Sequence, residues 1–455
     1  MKIKSFKGKG IRGYMDFDIT FNEGVSFLIG INGSGKTTVL KLISGLITPS
    51  FIDLFQIEFR EIEIIVENRT NNTNVRIKCV KNRDQLTLSY DKEKTVIPIL
   101  TKNYRAELLP EYVFDRFRND MMRFEEDQVV KKIKELKTPL FLGLNRRTIE
   151  HLNNPDIDRF QVGRRRTSNM DMFLDSDYFD RALNDIQELF NNAILNNTQS
   201  QYQLHNRFRI KVFGESFTIS EVPTNNNAPI DYSLELKKLE KREQDYNNAM
   251  ELLGLSDIEK KSKDFFDKIK ASLSTLKNTS SLDSNNKINI NYYNALMNWM
   301  MNSEQLNRTD RIIKYANEYS ESIQKLKEPF TRFVEAVNVF FSEGGKQIKV
   351  EDSGEIKILI QNNKKKTNSI YELSSGEKQL IIILAHVAFY KKINQQSAPI
   401  FIIDEPELSL HISWQEKFVD ALLQANPDTQ FILATHAPSI IAKKERKTWC
   451  IDLTK

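Results

Sequence analysis

The chain has 455 residues, a formal net charge of +5 and 28% charged residues. That length allows two or three domains with substantial cores, and the mild basic excess permits nucleic-acid contact without requiring it. No apolar run reaches the roughly 18 residues a membrane-spanning helix needs, and the basic start MKIKSFKGKG lacks the apolar stretch of a signal peptide. The two cysteines, Cys79 and Cys450, are too far apart in sequence to suggest a metal motif or a disulfide framework, so a cytoplasmic, membrane-free protein is expected.

In chain order, the first 30 residues alternate apolar and polar positions, then give the apolar run Val25–Ile29, which predicts strands leading into a buried one. Four strand-like runs between Phe55 and Leu100, separated by polar turns, predict an antiparallel sheet. Residues 138–147 read as a buried strand ending in Arg146 and Arg147. Apolar positions at Tyr232, Leu236, Leu239, Tyr246, Met250 and Leu253 make a heptad seam, broken only at Glu243. After Gly254, Ser256 and Glu259 form a capping-box pattern for a second helix through Phe265, Ile269, Leu273 and Leu276. The pair predicts a short helical hairpin of roughly 30 Å. More helix is expected from Ile290 to about Phe341, then a strand hairpin turning at Asp352–Ser353–Gly354. The last part alternates helix and strand: helix from Ser374, strand 399–403, helix 414–423, strand 431–434. Such alternation argues for a mostly parallel sheet shared by the first and last thirds, interrupted by a helical insertion.

Three segments carry chemistry. Gly30–Ile31–Asn32–Gly33–Ser34–Gly35–Lys36–Thr37 matches G-x-x-x-x-G-K-[ST], between a buried strand and an apolar helix that begins Thr37–Thr38. Its glycines would turn successive N–H groups toward phosphates, Lys36 would reach the β- and γ-phosphates and Thr37 would hold Mg²⁺. An ordinary Gly-rich strand–helix turn is the plainer alternative, which the flanking strand and helix disfavour. Ile400–Ile403 is an apolar strand ending in Asp404 and Glu405, which opens into the crevice where α/β sheets bind ligands. Asp404 would bind the metal, and Glu405 would polarise an attacking water; a solvated acidic turn is the plainer alternative. Ser374–Ser375–Gly376–Glu377 is a capping box, hence a well-started helix, and the same free N–H groups also make an anion site.

Taken together, these segments resemble the ABC-type ATPases of the SMC, RecF and OLD-like branch. Leu373–Gln379 resembles their signature in its LSxGE form, departing from the transporter form at Ser375 and Glu377. Glu407–His411 resembles the EPELxLH segment, and Thr435–His436 the switch histidine followed by a THAPSII-type run. Gly143–Arg147 falls where a Q-loop would lie but lacks the glutamine, leaving Arg146 and Arg147 as candidates. The implied fold class is α/β, a P-loop ABC-type ATPase head with a mixed sheet, an antiparallel β subdomain and an α-helical insertion. Residues 1–150 would form the first part of the head, 151–342 the insertion and 343–455 the second part. The resemblance further implies ATP and Mg²⁺, with Glu405 and His436 catalytic. It also implies a head-to-tail homodimer, open to higher assembly, in which Ser374–Glu377 cap the γ-phosphate of ATP bound to the second copy.

OLD-like proteins continue into a Toprim nuclease domain, whereas 15 residues follow Ile440 here, so a head without that domain is expected. This architecture most resembles the ATPase component of the Septu anti-phage system, which implies a separate HNH nuclease subunit as partner and ATP acting partly as a regulatory ligand. A RecF-like ATPase working on DNA, or a scaffold with slow turnover, stands as the competing reading; the signature form and the insertion disfavour a transporter subunit. Arg164–Arg166, Lys364–Lys366 and the asparagine runs read as solvated loops.

Overall fold

The computed structural model describes residues 1–49, 51–68, 73–99, 124, 126–136, 140–142, 175–215, 217, 231–255, 259–282, 287–351, 353–360, 363–393 and 400–454. Arg146, Arg147, Arg164–Arg166, Ser256, Asp352, Asn71, Asn72 and Asn225–Asn227 lie outside them. Two compact units are distinct: residues 1–194 with 329–455, and residues 195–328.

The first unit is built on two main sheets. One is antiparallel, in the order β2-β1-β4-β5-β6-β7, from Lys2–Ile11 (β1), Met15–Thr20 (β2), Glu61–Asn68 (β4), Thr73–Lys81 (β5), Gln85–Tyr90 (β6) and Glu93–Pro98 (β7). The four runs between Phe55 and Leu100 are therefore strands of one sheet, as their alternation indicated. The other sheet, in the order β14-β3-β13-β12-β8, joins Val25–Ile29 (β3) and Leu140–Leu142 (β8) to Ile400–Asp404 (β12), Gln430–Ala434 (β13) and Cys450–Asp452 (β14). Each of its pairings is parallel. Strands from opposite ends of the sequence thus meet in one sheet, which the alternation of helix and strand predicted.

The inner parallel strands are near-continuous apolar runs, with Ser26, Gln430 and the terminal Asp404 as their polar members, because both faces are covered. Phe401, Ile403, Phe431 and Leu433 enter one core, while Ile400, Ile402, Ile432 and Ala434 enter the other. The first core includes residues of Ser375–Ile393 (α8) and Ile412–Ala425 (α9), with parts of Asp175–Glu215 (α4) and Ile290–Phe341 (α7). The second packs Lys36–Ile47 (α1) and the antiparallel sheet, with contributions from Phe51–Gln56 (α2) and Gln128–Glu135 (α3). Gln430, buried in β13, ties the two sheets together. Its amide donates to the carbonyls of Ile3 (2.8 Å) and Asn22 (2.9 Å) and accepts from the Ile3 N–H (2.7 Å). A three-stranded antiparallel sheet of Lys346–Val350 (β9), Ile356–Ile360 (β10) and Asn363–Asn368 (β11) completes the unit, and Lys364–Lys366 fall in β11.

The second unit holds Tyr232–Leu252 (α5) and Glu259–Asn278 (α6). The heptad seam does its expected work: Leu239 of α5 packs with Phe266, Ile269 and Leu273 of α6, with Tyr232, Leu236 and Tyr246 at the margin. Helices of 21 and 20 residues match the roughly 30 Å hairpin. What periodicity did not reveal is the continuity of α4 and α7, which run for 41 and 52 residues. Helix α7 even contains Pro329, which cannot donate a helical hydrogen bond. Among the described residues no helix is long and apolar enough to cross a membrane.

Candidate functional site

Three adjacent parallel strands end level with one another, and the chemistry sits just past their carboxyl ends. Strand β13 lies between β3 and β12, with Ala434 in register with both Leu28 and Asp404. The Glu405 N–H donates to the Ala434 carbonyl (2.8 Å), and the Thr435 N–H to that of Leu28 (3.1 Å). Gly30, Asp404–Glu405 and Thr435–His436 are thereby brought to one edge of the sheet.

The loop Gly30–Thr37 leads into α1. Gly33 and Gly35 have φ of 86° and 91°, the left-handed region that glycine enters without a Cβ clash. At Gly35 a Cβ would also come within 3.0 Å of Phe17 and 3.2 Å of Met15. Asn32 and Gly33 are exposed at the tip, Ser34 and Thr37 are half-buried, and Thr38 is buried. The Lys36 ammonium donates to the carbonyls of Gly30 (2.8 Å) and Ile31 (3.2 Å). Ser34 Oγ is buried without a hydrogen-bond partner among the described residues. One neighbour escaped the sequence reading. The Nε–H of Arg12, from the turn after β1, donates to Thr38 Oγ1 (3.3 Å), placing a guanidinium beside the first turn of α1. Its sequence signal is the basic residue inside Gly10–Ile11–Arg12–Gly13.

Asp404 closes β12 with 1% exposure, and Glu405 follows with a φ of 47°, unusual for a residue with a side chain. Ser409 in the same loop has a φ of 64°. Two segments tie this loop down. Gln379 Nε2 donates to the Pro406 carbonyl (3.3 Å), and Gln415 Nε2 donates to those of Glu407 (3.4 Å) and Leu410 (2.9 Å). His411 caps α9, its Nδ1 accepting from the Ser413 N–H (3.4 Å).

The other neighbour that sequence reasoning left without a role is Glu407, buried at 6% exposure. Its Oε1 accepts from Thr435 Oγ1 (2.8 Å) and the His436 N–H (2.9 Å), and lies 3.2 Å from His436 Nδ1. His436 itself remains half-exposed. Beyond it lies a cavity of about 520 Å³ lined by Ile29, Gly30, Thr435, His436, Ile441 and Cys450, among others.

Ser374–Glu377 form the predicted capping box. The Ser374 N–H and Oγ–H donate to Glu377 Oε2 (2.9 and 2.8 Å), and the Glu377 N–H returns to Ser374 Oγ (3.4 Å). Burial pushes the Glu377 carboxyl up. The ammonium of Lys346 at 2.7 Å and the Ser374 hydrogen bonds outweigh it, holding the group below its ordinary value. Ser375 is exposed in the first turn of α8. At Gly376 a Cβ would sit 2.3 Å from the Ser409 carbonyl oxygen, so the helix start presses on the loop that follows the acids. Among the described residues no hydrogen bond or ion pair joins Ser374–Glu377 to Gly30–Thr37.

The donors fit a hard cation. Thr37 offers a hydroxyl and Asp404 a carboxylate, while no cluster of three or more His, Cys, Asp or Glu side chains among the described residues could hold a metal. Two oxygen ligands suit Mg²⁺, which takes its remaining ligands from phosphate and water.

A phosphate-type loop at a helix start, beside an acid-terminated central strand, defines a P-loop nucleotide-binding α/β protein. Residues 1–441 match the AAA ATPase domain family, and the chain belongs to it. It is 32% identical over 114 residues to the retron Vc95 probable ATPase of Vibrio cholerae serotype O1 biovar El Tor, which covers 24% of this chain and 22% of that protein. It is 28% identical over 144 residues to the retron Ec83 probable ATPase of Escherichia coli, covering 28% and 26% respectively. The chain thus spans about a quarter of the length of these curated relatives. Among solved structures, it is similar to the SMC head domain from Thermotoga maritima at 12% identity, over 97% of this chain and 92% of that one, with a TM-score of 0.39.

Proposed function

We propose that this AAA-family chain binds and hydrolyses ATP in a head-to-tail homodimer, and that the nucleotide state governs a separate nuclease subunit in anti-phage defence. The observation that carries the proposal is the level ending of β3, β13 and β12, which sets the Gly30–Thr37 loop, His436 and Glu405 side by side. The loop N–H groups and Lys36 bind the phosphates, and Arg12 adds positive charge next to them. Thr37 and Asp404 would hold Mg²⁺, which supplies charge neutralisation at the terminal phosphates. Glu405 orients the attacking water and accepts its proton, while His436 meets the terminal phosphate. Among the described residues Ser374–Glu377 have no hydrogen bond or ion pair to their own loop, and the capping box leaves the N–H groups of Ser375 and Gly376 available at the helix start. This suits a role in capping the nucleotide of a second copy.

The likeness to retron probable ATPases supports the defence assignment, and the HNH-type partner rests on the resemblance to the Septu ATPase component. Higher assembly of the dimer and contact with nucleic acid belong to the same proposal.

Native mass spectrometry with and without ATP tests it on wild type, Glu405→Gln and Ser374→Arg. Glu405→Gln should accumulate an ATP-bound dimer that Ser374→Arg does not form. Co-expression with an HNH-type protein encoded beside the gene should yield one particle containing both. Three proteins that stay monomeric and indifferent to ATP would overturn the dimer, and an HNH protein that never co-purifies would overturn the partner.

A further inference from the structure

We infer that Glu407 is the positioning residue of His436, an inference that rests on the ATPase reading above. Two donors from the segment after β13 converge on one carboxylate oxygen, the Thr435 hydroxyl at 2.8 Å and the His436 backbone N–H at 2.9 Å, and the same oxygen lies 3.2 Å from Nδ1 of the His436 ring. The Ala437 N–H donates to Thr435 Oγ1 (3.0 Å), so the network runs through three consecutive residues. A carboxylate oxygen only accepts, so its negative charge 3.2 Å from Nδ1 favours the proton on that nitrogen and leaves Nε2 to meet a ligand.

The carboxylate is not explained as a structural tie alone. Its other oxygen, Oε2, is buried with no hydrogen-bond partner among the described residues. Leaving a buried acceptor unpaired is costly, and a neutral side chain of similar shape would hold the Thr435 hydroxyl and the two backbone segments at lower cost. What only the acid supplies is negative charge 3.2 Å from Nδ1 of His436. Glu407 also belongs to the loop that begins with Glu405, so the water-orienting acid and the support of the phosphate-facing histidine move as one piece. The Thr435 and His436 bonds on one side and the Gln415 bond on the other fix that piece.

Glu407→Gln separates charge from shape, because the amide oxygen still accepts from Thr435 and the His436 N–H. The expected result is a thermal midpoint near wild type, an unchanged KM for ATP, and a kcat lower on the order of tenfold. In a His436→Ala background the same substitution should cause no further loss. An unchanged kcat overturns the inference, as does an equal loss in the His436→Ala background. Should the variant not fold, ring ¹⁵N shifts of labelled wild type decide, recorded at alkaline pH with His436→Ala for assignment. The Nδ1–H tautomer supports the inference and the Nε2–H tautomer overturns it. Absence of ATP turnover in wild type would instead overturn the ATPase reading, so the two failures are distinguishable.

Discussion

At the scale of single residues, the loop after the acidic strand carries backbone strain in the place where chemistry is proposed. Glu405 and Ser409 occupy left-handed conformations at φ 47° and 64°. Such a conformation costs a residue with a Cβ about 1 kcal/mol or more, and it persists only where surrounding contacts hold it. Ser409→Gly is therefore expected to stabilise the protein by up to about 1 kcal/mol, seen as a raised thermal midpoint. The partner position behaves oppositely. Gly376→Ala forces a methyl group against the Ser409 carbonyl oxygen, 2.3 Å from the ideal Cβ site, and neither backbone is a flexible chain end. A loss of about 1–3 kcal/mol is expected, together with weaker ATP-dependent association. Equal stability of Gly376→Ala and wild type would show that the helix start is not packed as described. Glycine at this signature position thus has an intramolecular reason in addition to any contact with nucleotide.

At the scale of elements, the start of α8 illustrates what sequence can and cannot reveal. The spacing of Ser374 and Glu377 disclosed a capping box, and both reciprocal hydrogen bonds are present. Their coupling to Lys346 of β9 was not legible, because a salt bridge between residues 31 apart follows from tertiary packing. This ion pair and the cap keep the folded carboxyl of Glu377 below its ordinary 4.5 despite the opposing effect of burial. The unfolded chain therefore takes up this proton at higher pH than the folded one. The stability contributed by Glu377 is full above pH 4.5 and is lost as pH falls through the lower, folded value. Glu377→Gln should flatten the acid limb of a thermal-midpoint profile while lowering stability at neutral pH. A parallel downward shift at every pH would contradict the assignment. The central strands were legible for a related reason: doubly covered strands read as near-continuous apolar runs, whereas α4 and α7 lack a simple stripe because their residues join different clusters along their length. Arg12 and Glu407 were missed because each acts across long sequence separations, on Thr38 and on His436 respectively.

At the scale of the whole molecule, the phosphate loop and the signature segment answer different questions about ATP. The loop, the acids and His436 lie together in one unit of one chain, so their response to nucleotide should be independent of protein concentration. Ser374–Glu377 share no hydrogen bond or ion pair with that loop among the described residues, so direct protection of their amides by ATP is expected from a nucleotide held by a second copy. Hydrogen exchange of Glu405→Gln, measured with ATP over a hundredfold range of protein concentration, separates the two. Residues 30–38 are expected to gain protection at every concentration, by RT ln(1 + [ATP]/Kd), or about 2.7 kcal/mol at a hundredfold excess over Kd if exchange is governed by release of the nucleotide. Residues 374–379 are expected to gain protection only where the dimer forms, with a midpoint matching that of the mass change. Ser374→Arg should retain the first effect and lose the second. Protection of both segments at the lowest concentration would place the signature on its own chain's nucleotide and remove the need for a dimer.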